Sequence, residues 1–113
     1  MAGRTRTAGR MENEMKRVVV TITFDKGQTI CEPSQVVVGP GDTVRWTCEE
    51  GTLEVVFENE NPFSKMQVWT ASRDQLTPVA VVNSGLVSKT IFRPKISING
   101  TVVATSLGDI IIQ

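Results

Sequence analysis

The chain has 113 residues, enough for one domain and too few for two. Apolar residues make up 40% and charged residues 21%, ordinary proportions for a globular protein. No apolar run approaches the ~20 residues needed to span a bilayer. A chain of this length buries roughly 65% of its unfolded surface, sufficient for one modest core.

Formal net charge is zero, but it is unevenly spread. Residues 1–17 hold five cations (Arg4, Arg6, Arg10, Lys16 and Arg17) against Glu12 and Glu14. That leaves seven cations against ten carboxylates in the remainder, so +3 faces −3. Such a basic arm suits an acidic partner or nucleic acid, although a solvated terminus is the expected role and nucleic-acid binding is not the expected function. Residues 1–16 are expected to form a flexible basic tail and residues 17–113 one sandwich domain. Met11 and Met15 leave open a later translational start. No apolar h-region follows the N-terminal arginines, which predicts a cytoplasmic protein with reduced thiols at Cys31 and Cys48.

Val and Ile cluster in short runs such as Val18-Val19-Val20, Val36-Val37-Val38 and Ile110-Ile111-Ile112. Branching at Cβ favours a pleated sheet over a helix. Along Arg17–Phe24, Val18, Val20, Ile22 and Phe24 alternate with Val19, Thr21 and Thr23, the pattern of a half-buried strand. Asp25-Lys26-Gly27 turns the chain, and Thr29–Glu32 adds a short strand before Pro33. Gln35–Val38 is the next, stopped by the turn-forming Gly39-Pro40-Gly41-Asp42. In Thr43–Cys48 the inward residues are Val44, Trp46 and Cys48. After Glu49-Glu50-Gly51, Leu53, Val55 and Phe57 share a face.

Residues 58–78 read less clearly. Glu58-Asn59-Glu60-Asn61-Pro62 is a polar loop, and Phe63–Thr70 is extended, with Phe63 and Trp69 on one face and Met66 and Val68 on the other. Ser72–Thr77 reads as a helical turn before Pro78, and Val79–Val82 as a short strand. Ile91–Ile98 and Thr101–Thr105 flank Asn99-Gly100, the dipeptide of a two-residue type I′ hairpin. Pro94 predicts an edge position or a bulge, and Ile110-Ile111-Ile112 closes the chain. About eight strands separated by turns predict an all-β Greek-key sandwich of seven to eight strands.

The run Val36-Val-Val-Gly-Pro-Gly-Asp-Thr-Val-Arg-Trp46 resembles the first half of a cupredoxin, a strand, a Gly-Asp turn and a Val-x-Trp strand. Phe57, Asn61-Pro62-Phe63 and the closing Asp109-Ile110-Ile111 are similar to a copper-free branch of that fold. The resemblance places the first copper ligand at Leu53, Glu54 or Val55 and the others within Ile98–Val103. Blue-copper sites require two His and one Cys. The chain has no histidine, and neither segment offers Cys or Met. No copper or other cofactor is expected.

The remaining chemistry is equally sparse. Cys31 and Cys48 lack CxxC spacing, and whether they pair is left open. Glu49, Glu50, Glu54, Glu58 and Glu60 form an acidic stretch that could serve a small ligand or an acid–base pair, or mark a solvated face. No histidine-dependent nucleophile is available. Ser88 and Lys89 point to opposite faces of a strand, and Gly39-Pro40-Gly41 precedes no helix to bind an anion. Phe63 and Trp69 are the candidate partner-binding residues, because aromatic anchors dominate interfaces; alternatively they cap the open end of the core. The expected function is a non-catalytic protein-binding or assembly module, with self-association or a protein partner. The alternative is a ligand-binding protein or enzyme at the Glu49–Glu60 rim.

Overall fold

Alternating β-branched residues carry through to the architecture. The structure, a computed structural model, describes residues 15–58, 60–105 and 107–113. The tail expected over residues 1–16 therefore lies outside the described residues except for its last two.

Among the described residues eleven strands form: β1 (Arg17–Asp25), β2 (Gln28–Glu32), β3 (Gln35–Val38), β4 (Thr43–Cys48), β5 (Leu53–Val56), β6 (Val68–Ala71), β7 (Ala80–Val81), β8 (Ile91–Phe92), β9 (Lys95–Ile98), β10 (Thr101–Ala104) and β11 (Asp109–Ile112). One sheet has the order β2-β1-β4-β7. Opposite it lie β10-β9-β5-β6 and β3-β11-β8. β8 runs into β9, and β10 into β11, so these two sheets are halves of one bent layer traversed twice by the same chain. β1 pairs parallel with β4, and β11 parallel with β3; the other strand pairs are antiparallel. The result is the expected all-β sandwich.

One expected run, Ile91–Ile98, is broken into two strands, β8 and β9. Pro94 cannot donate to a ladder, and Arg93-Pro94 separates β8 from β9. Asn99 and Gly100 both take positive φ, 53° and 82°, as a type I′ turn requires. The helical turn expected over residues 72–77 is not formed. Asp74 instead adopts a left-handed φ of 65°, and its N–H donates to Cys48 O at 2.8 Å. This segment is stitched to β4, with Thr77 N–H donating to Trp46 O at 2.9 Å. No helix occurs among the described residues, and so none is long and apolar enough to cross a membrane.

The core draws on both layers: Val20, Ile22, Val44, Trp46 and Cys48 from one, and Leu53, Val55, Trp69, Ile96, Ile110 and Ile112 from the other. Asp42 fixes one end. Its carboxylate accepts from Lys16 N at 3.0 Å and Gly39 N at 2.8 Å. It thus joins the approach to β1 to the turn between β3 and β4, and the Gly-Asp motif is structural.

The register settles the cysteines. Ile22 of β1 stands opposite Cys31 of β2 on one side and Cys48 of β4 on the other. Two strand spacings of ~4.8 Å separate their backbones by about 10 Å, beyond the ~7 Å that a disulfide can bridge. Both thiols are free and buried. Burial pushes the Cys31 thiol from 9.0 up to about 11 and also raises Cys48. An unfolded thiol ionises above its ordinary pKa while Cys31 stays protonated. Stability from this group is therefore complete below pH 9 and is lost as pH rises through about 11. Denaturant titrations should show the wild-type chain losing stability more steeply than Cys31→Ala across that window. Equal slopes would contradict a buried, protonated Cys31.

Candidate functional site

Phe63 and Trp69 are both interior residues, 2% and 0% exposed. With Trp46 and Phe57 they form a quartet whose ring centroids lie 5.2–6.3 Å apart. Tilted and edge-on contacts dominate, the arrangement aromatic quadrupoles favour. Neither ring offers area to a partner, which corrects their assignment as surface anchors. Phe63 is drawn in by backbone pairing. It bridges to Val82, and Ser64 N–H donates to Val81 O at 3.0 Å.

The acidic stretch disperses. Glu50 Oε1 accepts from Phe24 N at 3.2 Å and from Cys48 Sγ at 3.5 Å, so it ties the end of β1 to the turn after β4. Glu49 contributes its backbone carbonyl, which accepts from Arg73 Nε at 3.1 Å. Glu54 projects from β5 opposite Ser97 and Thr70. Glu58 pairs with Lys95 at 2.7 Å. Among the described residues, no three Asp, Glu, His or Cys side chains come together as a metal site.

At the end of the sandwich where the cupredoxin resemblance places metal ligands, the two loops clasp each other. Asn99 N–H donates to Thr52 O at 2.8 Å, and Thr52 N–H donates to Asn99 Oδ1 at 2.9 Å. Gly51 is buried beneath the Asn99 amide; a Cβ there would stand 2.7 Å from Asn99 Cγ. At this end the Asn99 N–H and Oδ1 are engaged with the Thr52 C=O and N–H.

A groove opens elsewhere, where the bent layer splits beside Pro94. β5 pairs with β9 as far as Val56↔Lys95, and then the chain diverges, with Phe57 N–H donating to Gln67 O at 3.0 Å. β8 is left as an edge, since β11 is its single strand partner. Two adjoining hollows of about 440 and 490 Å³ share Glu60 and Phe92. Glu58, Ile91, Arg93 and Lys95 line the first, while Gly85, Leu86 and Val87 line the second. Val87 is 75% exposed and Ile91 45%.

The β8 backbone faces this groove. Ile112 N–H donates to Thr90 O at 3.0 Å, making Thr90↔Ile112 a hydrogen-bonded rung. By antiparallel alternation the next pair, Ile91↔Ile111, is non-bonded. The N–H and C=O of Ile91 thus point away from β11. Sequence reading missed this site, because the groove arises from strands far apart in the chain. Its local signals were Pro94 and the exposed phase of Ile91.

No protein-family model matches the chain, and no curated protein matches it. Among solved structures it is similar to a chain in the cryo-EM structure of a heme-copper terminal oxidase dimer. The identity is 12% and the TM-score 0.55, over 91% of this chain and 68% of that one. At this identity the likeness concerns the fold.

Gly51→Ala tests the clasp. The added methyl displaces the Asn99 amide and gives the exposed Thr52 N–H to water, costing about 0.5–1.5 kcal/mol in a denaturant titration. Combining it with Asn99→Gly, which retains the turn and removes the obstructing amide, should cost less than the sum of the two single changes. Simple additivity would contradict direct contact.

Proposed function

We propose that this chain is a non-catalytic protein-binding module: a cupredoxin-like sandwich without a copper site, whose contact surface is the groove beside β8. The observation carrying this reading is the open β8 edge, with outward backbone groups at Ile91 and exposed Val87 and Ile91 beside it. An extended polypeptide adds to such an edge through main-chain hydrogen bonds, while flanking hollows receive alternate side chains. Edges of this kind are normally covered or blunted.

The loss of copper binding rests on donor chemistry. The chain contains no histidine, and the loop end is filled by the Asn99–Thr52 clasp. Carboxamide and peptide groups do not replace the imidazole and thiolate set of a blue-copper centre. The dispersed glutamates give no support to acid–base catalysis. The structural likeness to a chain of an oxidase dimer accords with a fold used inside assemblies, and a protein partner is the expected occupant of the groove.

Photo-crosslinking in the source cells tests this reading, with a photoreactive residue at Val87 or Ile91 and a control at the exposed Thr70 of β6. The expected result is one discrete protein adduct from both groove positions, absent at Thr70 and diminished by Glu60→Lys. Equal labelling at all three positions, or none at the groove, would refute the assignment.

A further inference from the structure

We infer that Asn99 is a site of spontaneous covalent modification, deamidation to aspartate and isoaspartate, which its turn and its clasp on Thr52 hold in check. The site is independent of the groove.

The reacting groups are Asn99 and its neighbour. Asn99-Gly100 is the one Asn-Gly dipeptide in the chain, and both residues are exposed, so water and hydroxide reach them. Glycine has no Cβ to shield its nitrogen. When hydroxide removes the Gly100 N–H proton, that nitrogen attacks Asn99 Cγ. The N–Cγ bond forms, the Cγ–Nδ2 bond breaks, and ammonia leaves with a proton from water, which closes a five-membered succinimide. Water then opens the ring at Cγ to give aspartate, or at the backbone carbonyl carbon to give isoaspartate. No oxidant or reductant takes part.

The folded geometry opposes ring closure. Asn99 and Gly100 have φ of 53° and 82°, as in a type I′ turn, whose first central residue has a ψ of about 30°. At that ψ the Gly100 nitrogen lies nearly anti to Cβ across the Cα–C bond, whereas the ring needs the two eclipsed. Closure therefore demands a rotation that undoes the turn. The carboxamide is pinned as well. Its Oδ1 accepts from Thr52 N–H at 2.9 Å, its Cγ packs over Gly51, and Asn99 N–H donates to Thr52 O at 2.8 Å. Reaction proceeds only from tips that have opened. Isoaspartate adds an atom to the backbone, so the two-residue turn does not reclose in its former register. Asn99 thus keeps an irreversible record of clasp opening.

Peptide mass spectrometry of the full-length chain, incubated at mildly alkaline pH, tests the inference by separating asparagine, aspartate and isoaspartate at position 99. The folded chain should deamidate there about tenfold more slowly, or slower still, than the same chain unfolded in urea. The slowing should match the hydrogen-exchange protection of the Asn99 N–H within about tenfold, because both report one opening. Gly51→Ala, which crowds the amide, should accelerate exchange and deamidation together by about two- to tenfold. Retained exchange protection at Ile96 in the core shows that this variant is folded. Equal rates in the folded and unfolded chain would overturn the inference, as would a folded Gly51→Ala chain with faster Asn99 exchange and unchanged deamidation. If Gly51→Ala does not fold, agreement or disagreement between the two wild-type rates decides.

Discussion

Four aromatic rings between the sheets hold the rest of the structure in place. Trp46 comes from β4, Trp69 from β6, Phe57 from the chain just after β5, and Phe63 from the loop that follows. Each lies within 6.3 Å of the other three, centroid to centroid. Rings of this size contribute more apolar burial than aliphatic neighbours, and loss of a buried Phe or Trp side chain costs about 3–5 kcal/mol in other cores. Both indole N–H groups are buried with no hydrogen-bond partner among the described residues, so packing must outweigh that desolvation. The quartet brings Phe57, Phe63 and Trp69 of an irregular stretch into the core. It also removes the aromatic residues from any role at the surface.

This allocation determines where binding can occur. One end is closed by Asp42 gathering the N–H groups of Lys16 and Gly39. The opposite loops are closed by Asn99 against Gly51 and Thr52. Of the acidic side chains, Glu50 is spent on a turn, Glu58 on an ion pair and Glu54 on an outer sheet face. Among the surfaces that remain open is the split beside Pro94, where β5 leaves the layer and β8 continues without a neighbour on that side. The same residue that interrupts the ladder therefore creates the surface available for strand addition.

Much of the fold was legible in local pattern. Alternation in β1, β4 and β5 assigned the inward residues correctly, and Asn99-Gly100 specified its turn through the need for two positive φ values. Cys31 and Cys48 became decidable only with register, because flanking the same strand is a nonlocal fact. Phe63 and Trp69 failed as surface candidates for a similar reason. Their burial depends on Trp46 and Phe57 across the sandwich, which no short window reveals. Residues 72–77 make a tight Ser72–Gln75 turn and then follow β4 rather than winding into a helical turn, because the Asp74 and Thr77 N–H groups satisfy its free carbonyls. The groove has no contiguous signature, since its walls come from segments as far apart as Val56, Leu86, Ile91 and Thr105.

Native mass spectrometry of the chain purified gently from its source cells tests the central claim most directly. A metal-free protein-binding module predicts the chain mass together with a stoichiometric partner polypeptide and no copper increment. A copper-bearing chain, or a bare monomer with no partner under the gentlest conditions, would contradict it.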